Sequence, residues 1–338
     1  MTTFRSIVGH SQSLGILQRC RTEHRLHHSL LFHGPEGVGK RTVALALAAA
    51  FNCASSGTHP SAEPCGTCAS CTKIGKGLHP DVIYLTLERT VIPIDGVRRL
   101  RREAAFRPFE GRKRVFIIDP ADRMSIEAQN ALLKTLEEPA ASSCLILITS
   151  KPMHLLPTTR SRCQQLGFGT LPPAVLASHI AAQRGLSERD ALRAARLAGG
   201  RLGTALTLDL SAHDHACEML LDLLETLIRD GGPGGRIQEQ VGVFGGDAEA
   251  ISWNLDILTG LIRDMILLSS TASDRMLIHT DRRADLSALA GRLAGGRDVL
   301  LQMAERVDLA RSDLQRNVNK KLLLETLLFD LCAECPAR

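Results

Sequence analysis

A phosphate-loop pattern with one residue out of place constrains this chain more than any other feature. Phe32-His33-Gly34-Pro35-Glu36-Gly37-Val38-Gly39-Lys40-Arg41-Thr42 follows a short apolar run and leads into an alanine-rich stretch, Val43 to Ala50. The full pattern is glycine, four residues, Gly-Lys, then Ser or Thr. Backbone N–H groups and a helix N-terminus cradle phosphates, the lysine reaches the terminal phosphates and the hydroxyl ligates Mg²⁺. Here Gly34, Gly37, Gly39 and Lys40 are in place, but Arg41 stands where the hydroxyl belongs. Thr42 is no substitute, because one further residue turns its side chain about 100° around the helix. The loop is built for phosphate and lacks the metal ligand. Weak ATP or ADP binding and an empty, purely architectural loop both fit these residues.

Leu30-Leu31-Phe32 reads as the buried strand that such a loop must follow. Asp81 to Leu87, Arg114 to Asp119 and Cys144 to Thr149 are apolar on both faces and read as three more strands of a parallel sheet. Between them lie helical stretches, one after Asp95, which the aspartate would cap, and one after Ser125 that runs to Glu138, where Pro139 stops it. This alternation predicts an α/β layered domain. After Arg162 strands are expected largely to cease. Pro172 to Arg184, Ser187 to Ala198 and Leu202 to Leu210 read as three short helices, with Ser187 and Asp190 as a capping-box-like start and Gly199-Gly200 as a break. From Ser211 onward the pattern is helical, interrupted by Gly231-Gly232-Pro233-Gly234-Gly235, Gly245-Gly246 and Gly295-Gly296. The closing helix, Asn317 to Leu331, puts Leu323, Leu324, Leu327, Leu328 and Leu331 on one broad face. With 338 residues, 44% of them hydrophobic, the chain has material for two or three cores.

A net charge of +5 is compatible with work near nucleic acid and far from the footprint of a protein that grips DNA alone. Met1 to Gly15 has no apolar signal region and no run of about 18 apolar residues occurs, so a cytosolic protein with reduced thiols and no membrane partner is expected. In that setting Cys65-Gly66-Thr67-Cys68-Ala69-Ser70-Cys71, with Cys53 upstream, supplies four thiolates on a polar insertion of little core. Four cysteines complete a tetrahedral Zn²⁺ shell with no position open to water, so a zinc ion here is structural. Cys332-x-x-Cys335 reads as a packed helix end or an inert tail, and Cys20, Cys144 and Cys217 as packing residues.

A second defect accompanies Arg41. At the end of the third strand, a P-loop ATPase of this architecture would carry Asp-Glu, the aspartate orienting Mg²⁺ through water and the glutamate activating the attacking water. This chain has Asp119-Pro120-Ala121-Asp122. Pro120 has no side-chain base, and Asp122 reads as a turn or cap residue. Loss of metal ligand and base together argues against hydrolysis.

Several stretches together resemble the clamp-loader subunits of bacterial DNA polymerase III. They are Ile7-Val8-Gly9-His10, His28 to Phe32, the four cysteines, His79-Pro80-Asp81, Asn130 to Pro139, and Arg160-Ser161-Arg162-Cys163. The two defects set the chain with the delta prime type rather than the ATP-hydrolysing gamma/tau type. The resemblance implies an α/β AAA+ P-loop module at 1–166 (a parallel sheet with helices on both faces), carrying a zinc-binding insertion at about 53–71. A three-helix lid at 167–210 and an all-α collar at 211–338 would follow. It implies a non-hydrolysing subunit of the DNA-directed DNA polymerase holoenzyme, assembled with gamma/tau and delta subunits in a hetero-pentameric ring that opens the sliding clamp and loads it on primed DNA. It also implies that Arg162, in the Ser-Arg-Cys triplet, acts as an arginine finger in a neighbour's nucleotide site. Thr149 and Ser150 match the family's phosphate-sensing position, while Arg201 is out of step with its lid arginine. An active clamp-loader ATPase is the alternative from another class, and a zinc-containing nucleic-acid reader a third, which the few basic residues near the cysteines disfavour. The arginines of Asp95 to Ala104 read as a solvated or subunit-facing side in preference to a DNA groove.

Overall fold

The computed structural model describes residues 3–57, 63–87, 91–230, 237–270, 276–293, 295–314, 316 and 318–335. They form two units, Met1–Leu206 and Thr207–Arg338. The first holds β1 (Ser29–His33), β2 (Val82–Leu85), β3 (Arg114–Ile118), β4 (Ser143–Thr149) and β5 (Gln164–Gly167) in one sheet of order β2-β3-β4-β1-β5. Every pairing is parallel. Side chains alternate across the pleat. Leu30, Phe32, Ile117 and Ile146 therefore enter one core, beside α1 (Ser11–Thr22) and α2 (Lys40–Asn52). Leu31, Phe116, Ile118 and Leu147 enter the other, with α4 (Ile94–Ala104) and α5 (Ile126–Glu137); α3 (Ala69–Gly75) carries the last of the four cysteines, Cys71. Both faces of the sheet are thus covered by helices, as expected of an α/β P-loop module.

Three details differ from the sequence reading. Strands largely cease after Arg162, as expected, but one unforeseen short strand, β5, lies at the sheet edge against β1. Its Gln164-Gln165 start gives no apolar run, because an edge strand has a neighbour on one side only. Asp95 does not cap α4. Pro93 holds the cap position and Asp95 lies in the first turn, where it pairs with Arg98 at 3.2 Å. The second strand is shorter than Asp81 to Leu87, since Asp81 is used to hold a loop, as described below.

After α6 (Pro157–Arg160), three helices follow: α7 (Pro173–Arg184), α8 (Glu188–Leu197) and α9 (Leu202–Thr207). Ser187 caps α8, its Oγ accepting from the Asp190 N–H. Gly199 and Gly200, with φ of 58° and 77°, make the break before α9. The second unit is helical throughout its described residues: α10 (Leu210–Asp230), α11 (Ile237–Gly242), α12 (Ala248–Leu268), α13 (Arg283–Arg292), α14 (Arg297–Leu314) and α15 (Lys320–Glu334). Asn319 caps α15. Asn317, its expected start, and the 231–235 glycine break lie outside the described residues. Leu324, Leu327, Leu328 and Leu331 of α15 are buried in a core shared with α10, α12 and α14. Cys332 and Cys335 are buried in the same core, their thiols pushed up to about 11 by burial. No described helix is long and apolar enough to cross a membrane.

Candidate functional site

The glycines of the loop are needed by the fold itself. Gly34 has φ of 142°, and a Cβ there would sit 2.0 Å from the Phe168 carbonyl oxygen. Gly37, at φ 77°, faces α9: its carbonyl accepts the Gly203 N–H at 2.8 Å, and Thr204 Oγ1 would lie 3.0 Å from a Cβ. Gly39, at φ 104°, starts α2 with nothing within 4 Å of an added Cβ. His10, left-handed at φ 57°, lays its Nε2 2.8 Å from the Val38 carbonyl and its ring edge-on against Phe168. That places the Ile7-Val8-Gly9-His10 stretch beneath the loop, a role the sequence left unassigned.

Lys40 is buried and donates from Nζ to the carbonyls of Gly34 and Pro35, each at 2.6 Å. The lysine therefore satisfies its charge on the loop's own oxygens. Burial lowers its pKa, partly opposed by Asp119, Glu36 and Asp122. Arg41 points its guanidinium over the Tyr84 ring, 5.1 Å from the centroid, a cation–π contact. It places a positive charge at the metal-ligand position. Desolvation raises the Asp119 carboxyl above its ordinary range, and the nearby Arg41 and Lys40 only offset this. Next to it, Pro120 occupies the place of the base. Asp122 accepts from Thr149 Oγ1, whose oxygen in turn accepts the Lys151 N–H. Both polar groups are thereby used to join the single helical turn Ala121–Arg123 to the end of β4. Arg201 lies near the loop, its Cβ 3.6 Å from the position of a Gly37 Cβ, but its Nε donates to the Ala198 carbonyl.

Arg162 lies between α6 and β5, away from this loop in the sheet. Its Nε and Nη2 both reach Glu137 Oε1, at 2.6 and 2.5 Å, and Nη1 donates to the Thr158 carbonyl. The side chain remains 35% exposed and Glu137 48%. The described arginines of α4, Arg98, Arg99, Arg101 and Arg102, are all exposed.

The four cysteines come together. Their sulfurs all lie within 4.8 Å of one another. Cys53 caps the end of α2 and Cys68 the start of α3. Backbone N–H groups of Cys65, Cys68 and Cys71 point at the sulfurs of Cys53, Cys65 and Cys68, at 3.3 to 3.5 Å. Such bonds support thiolates. Those from Cys68 and Thr67 bring the Cys65 thiol down to about 5, whereas burial pushes Cys71 up. A cation at the centre would favour the Cys71 thiolate over the thiol and so oppose the effect of burial. The donor set fits Zn²⁺, and Cys53, Cys65, Cys68 and Cys71 would hold it, stapling α3 to the end of α2. Ser70 on α3 then reaches His79 Nε2 at 2.9 Å. Asp81, fully buried, accepts the N–H groups of Phe109, Glu110 and Gly111 at 2.7 to 2.9 Å. His79-Pro80-Asp81 is thus the anchor of the 109–111 loop. Burial alone would raise the Asp81 carboxyl, but these three donors hold it below its ordinary value.

Comparison with known proteins meets this geometry from outside. Residues 9–172 match the family model described as DNA polymerase III, delta subunit, and 218–332 the one described as its C-terminal part. DNA polymerase III subunit delta' of Bacillus subtilis is 32% identical over 313 residues, covering 91% of either chain. The chain belongs to the DNA polymerase III delta' family of clamp-loader subunits. The gamma/tau subunit of Mycobacterium bovis is 35% identical over 194 residues, which are 56% of this chain and 33% of that one. Among solved structures, a gamma subunit-related protein of Thermotoga maritima is 17% identical, with a TM-score of 0.44 over 94% of this chain and 97% of that one. Within the delta' family, the loop, the four cysteines and the Arg162 turn are the three features left to interpret.

Proposed function

We propose that this chain is the non-hydrolysing stator of the clamp loader, helping to open the sliding clamp and place it on primed DNA in the bacterial cytoplasm. One observation carries the reading: the loop keeps its phosphate-cradle backbone while Lys40 is bonded to the Gly34 and Pro35 carbonyls and Arg41 stands at the metal position. A site with neither hydroxyl nor base does not assemble the Mg²⁺ and attacking water that phosphoryl transfer needs. In this reading 1–166 is the AAA+ module with a structural zinc at its four cysteines, 167–210 the lid, and 211–338 the collar that joins gamma/tau and delta subunits in a five-membered ring. Gly34, Gly37, Gly39 and Lys40 hold ATP or ADP weakly or not at all.

The chain's catalytic contribution is Arg162, lent to the neighbouring ATPase subunit. Support comes from its exposure and from the weakness of what retains it. An ion pair this open to water contributes about 0–1 kcal/mol, so the guanidinium can leave Glu137 for a phosphoryl group at little cost. Fingers of this kind raise turnover by roughly 10³ to 10⁵. The test is ATPase of the reconstituted loader with clamp and primed DNA, comparing wild type with Arg162→Ala, alongside the chain alone. A silent chain and a loader slowed by Arg162→Ala with assembly intact are the expected results. ATP turnover by the isolated chain, abolished by Lys40→Ala, would instead make it an active AAA+ ATPase of the gamma/tau type. A loader indifferent to Arg162→Ala would remove the finger.

A further inference from the structure

A second group of metal-ligand side chains lies in the Thr207–Arg338 unit, apart from everything described above. His213 and Cys217 stand four residues apart on α10, which puts them on one face of the helix. His279 comes from the segment that follows α12. A ligand atom from each lies within 4.8 Å of one from each of the others, and the residues are 4%, 1% and 3% exposed. Cys217 Sγ is 3.5 Å from His213 Nδ1. Two such atoms on one tetrahedral zinc are separated by about 3.6 Å, from the Zn–S and Zn–N bond lengths.

His279 is the observation that points to a ligand. Its Nδ1 donates to Asp264 Oδ2 at 3.0 Å, which fixes the ring and its tautomer. Nε2 is left with its lone pair, buried and with no hydrogen-bond partner in the chain. A carboxylate on one imidazole nitrogen and an open lone pair on the other is how metal-binding histidines are held. The rest of the site is built around that ring. Asp264, fully buried on α12, also accepts the N–H groups of Ile278 and His279 and pairs with Arg263. A Cβ at Gly260 would lie 2.9 Å from His279 Cε1, so the glycine leaves room for the ring. His213 stacks on it, with ring centroids 5.6 Å apart and planes at 18°. Packing alone accounts for Cys217 as a small apolar residue, which is how its sequence context reads. It gives no use for the His279 Nε2 lone pair.

We propose that His213, Cys217 and His279 bind a Zn²⁺ ion, with Asp264 orienting His279. One thiolate and two neutral imidazoles suit this borderline-soft cation, and the fourth tetrahedral position falls to water. The thiolate offsets one of its two charges, and the Asp264 carboxylate, shared with Arg263, lies on the far side of the His279 ring. The ion pins the 276–279 segment onto α10 and α12.

The test uses the full chain with zinc alone as the probe, in a Cys65→Ser/Cys68→Ser background that disables the four-cysteine centre. Metal analysis is expected to find one zinc per chain there, lost on adding His279→Ala or Cys217→Ala while the helical circular dichroism persists. Asp264→Asn should weaken zinc binding by about 10- to 100-fold. With Co²⁺ in place of zinc, the background should show tetrahedral d–d bands with charge transfer from a single thiolate, a signature distinct from that of four thiolates. A folded background chain that binds no zinc overturns the site, as does zinc retained in the His279→Ala variant. Should the background fail to fold, the wild-type Co²⁺ spectrum decides: a one-thiolate component supports the site, and four-thiolate bands alone, or no bands, overturn it.

Discussion

Replacing Gly34 and Gly39 separately by alanine isolates what the loop glycines do when no nucleotide is involved. At Gly39 an added methyl meets nothing within 4 Å, so only the backbone at φ 104° resists. Strain of this sort costs about 1–2 kcal/mol, of which the stiffer unfolded chain returns roughly 0.4–1 kcal/mol. Gly34→Ala carries comparable strain at φ 142° and also drives its Cβ to 2.0 Å from the Phe168 oxygen. That neighbour is backbone at the end of β5, which cannot rotate aside, and forced overpacking of this kind costs about 1–3 kcal/mol more. Gly34→Ala should therefore lose roughly 1–5 kcal/mol and Gly39→Ala about 0–1.6 kcal/mol. Urea titration read by hydrogen exchange at the β1 amides, Leu30 to Phe32, reports on the first unit alone, which a whole-chain signal from two units does not. Equal losses in the two variants would refute the argument that the Phe168 contact, independently of any phosphate, demands glycine at 34.

Other outcomes are expected from the same structure. Cys68→Ser should remove one zinc per chain and open the stretch from Cys65 to Lys76 to protease, while the sheet amides stay protected; metal analysis and mass-mapped proteolysis check this. Asp81→Asn should cost about 1–3 kcal/mol near neutral pH, since charged acceptors bind N–H groups more strongly than neutral ones. Because the folded carboxyl sits below its ordinary 3.8, its contribution is complete above that value and is lost as pH falls through the folded pKa. The gap between wild type and Asp81→Asn in unfolding titrations should therefore close below about pH 4. Glu137→Gln should leave thermal stability unchanged and loader ATPase within about twofold of wild type. A loss as deep as that of Arg162→Ala would assign the effect to the ion pair.

The fold was legible where one residue type has one physical use. Short β-rich apolar runs such as Cys144 to Thr149 suit strands covered on both faces, and Ser187 before Asp190 is a helix start in sequence and in structure. β5 escaped because its burial is one-sided and its glutamines carry no pattern. The four cysteines were legible as a group because three lie within seven residues. His213, Cys217 and His279 were not, since only the turn of α10 and the return of the chain after α12 bring them together. Asp81 looked like a strand residue, and nothing in its neighbours announces that its carboxylate holds the N–H groups of Phe109 to Gly111.

The place of β5 has a consequence for distance. Arg162 precedes its first residue, and Phe168, which presses its carbonyl against Gly34, follows its last. Four residues of strand measure about 13 Å. This short rod is laced to β1 along its length, so the arginine and the phosphate-shaped loop are set at a nearly constant separation. With Lys40 bonded to the Gly34 and Pro35 carbonyls, the rod is fixed at its loop end, as the proposed stator role requires. In its proposed finger role, Arg162 would meet a partner at the same spot each time, as a carpenter finds a mark measured from a fixed edge.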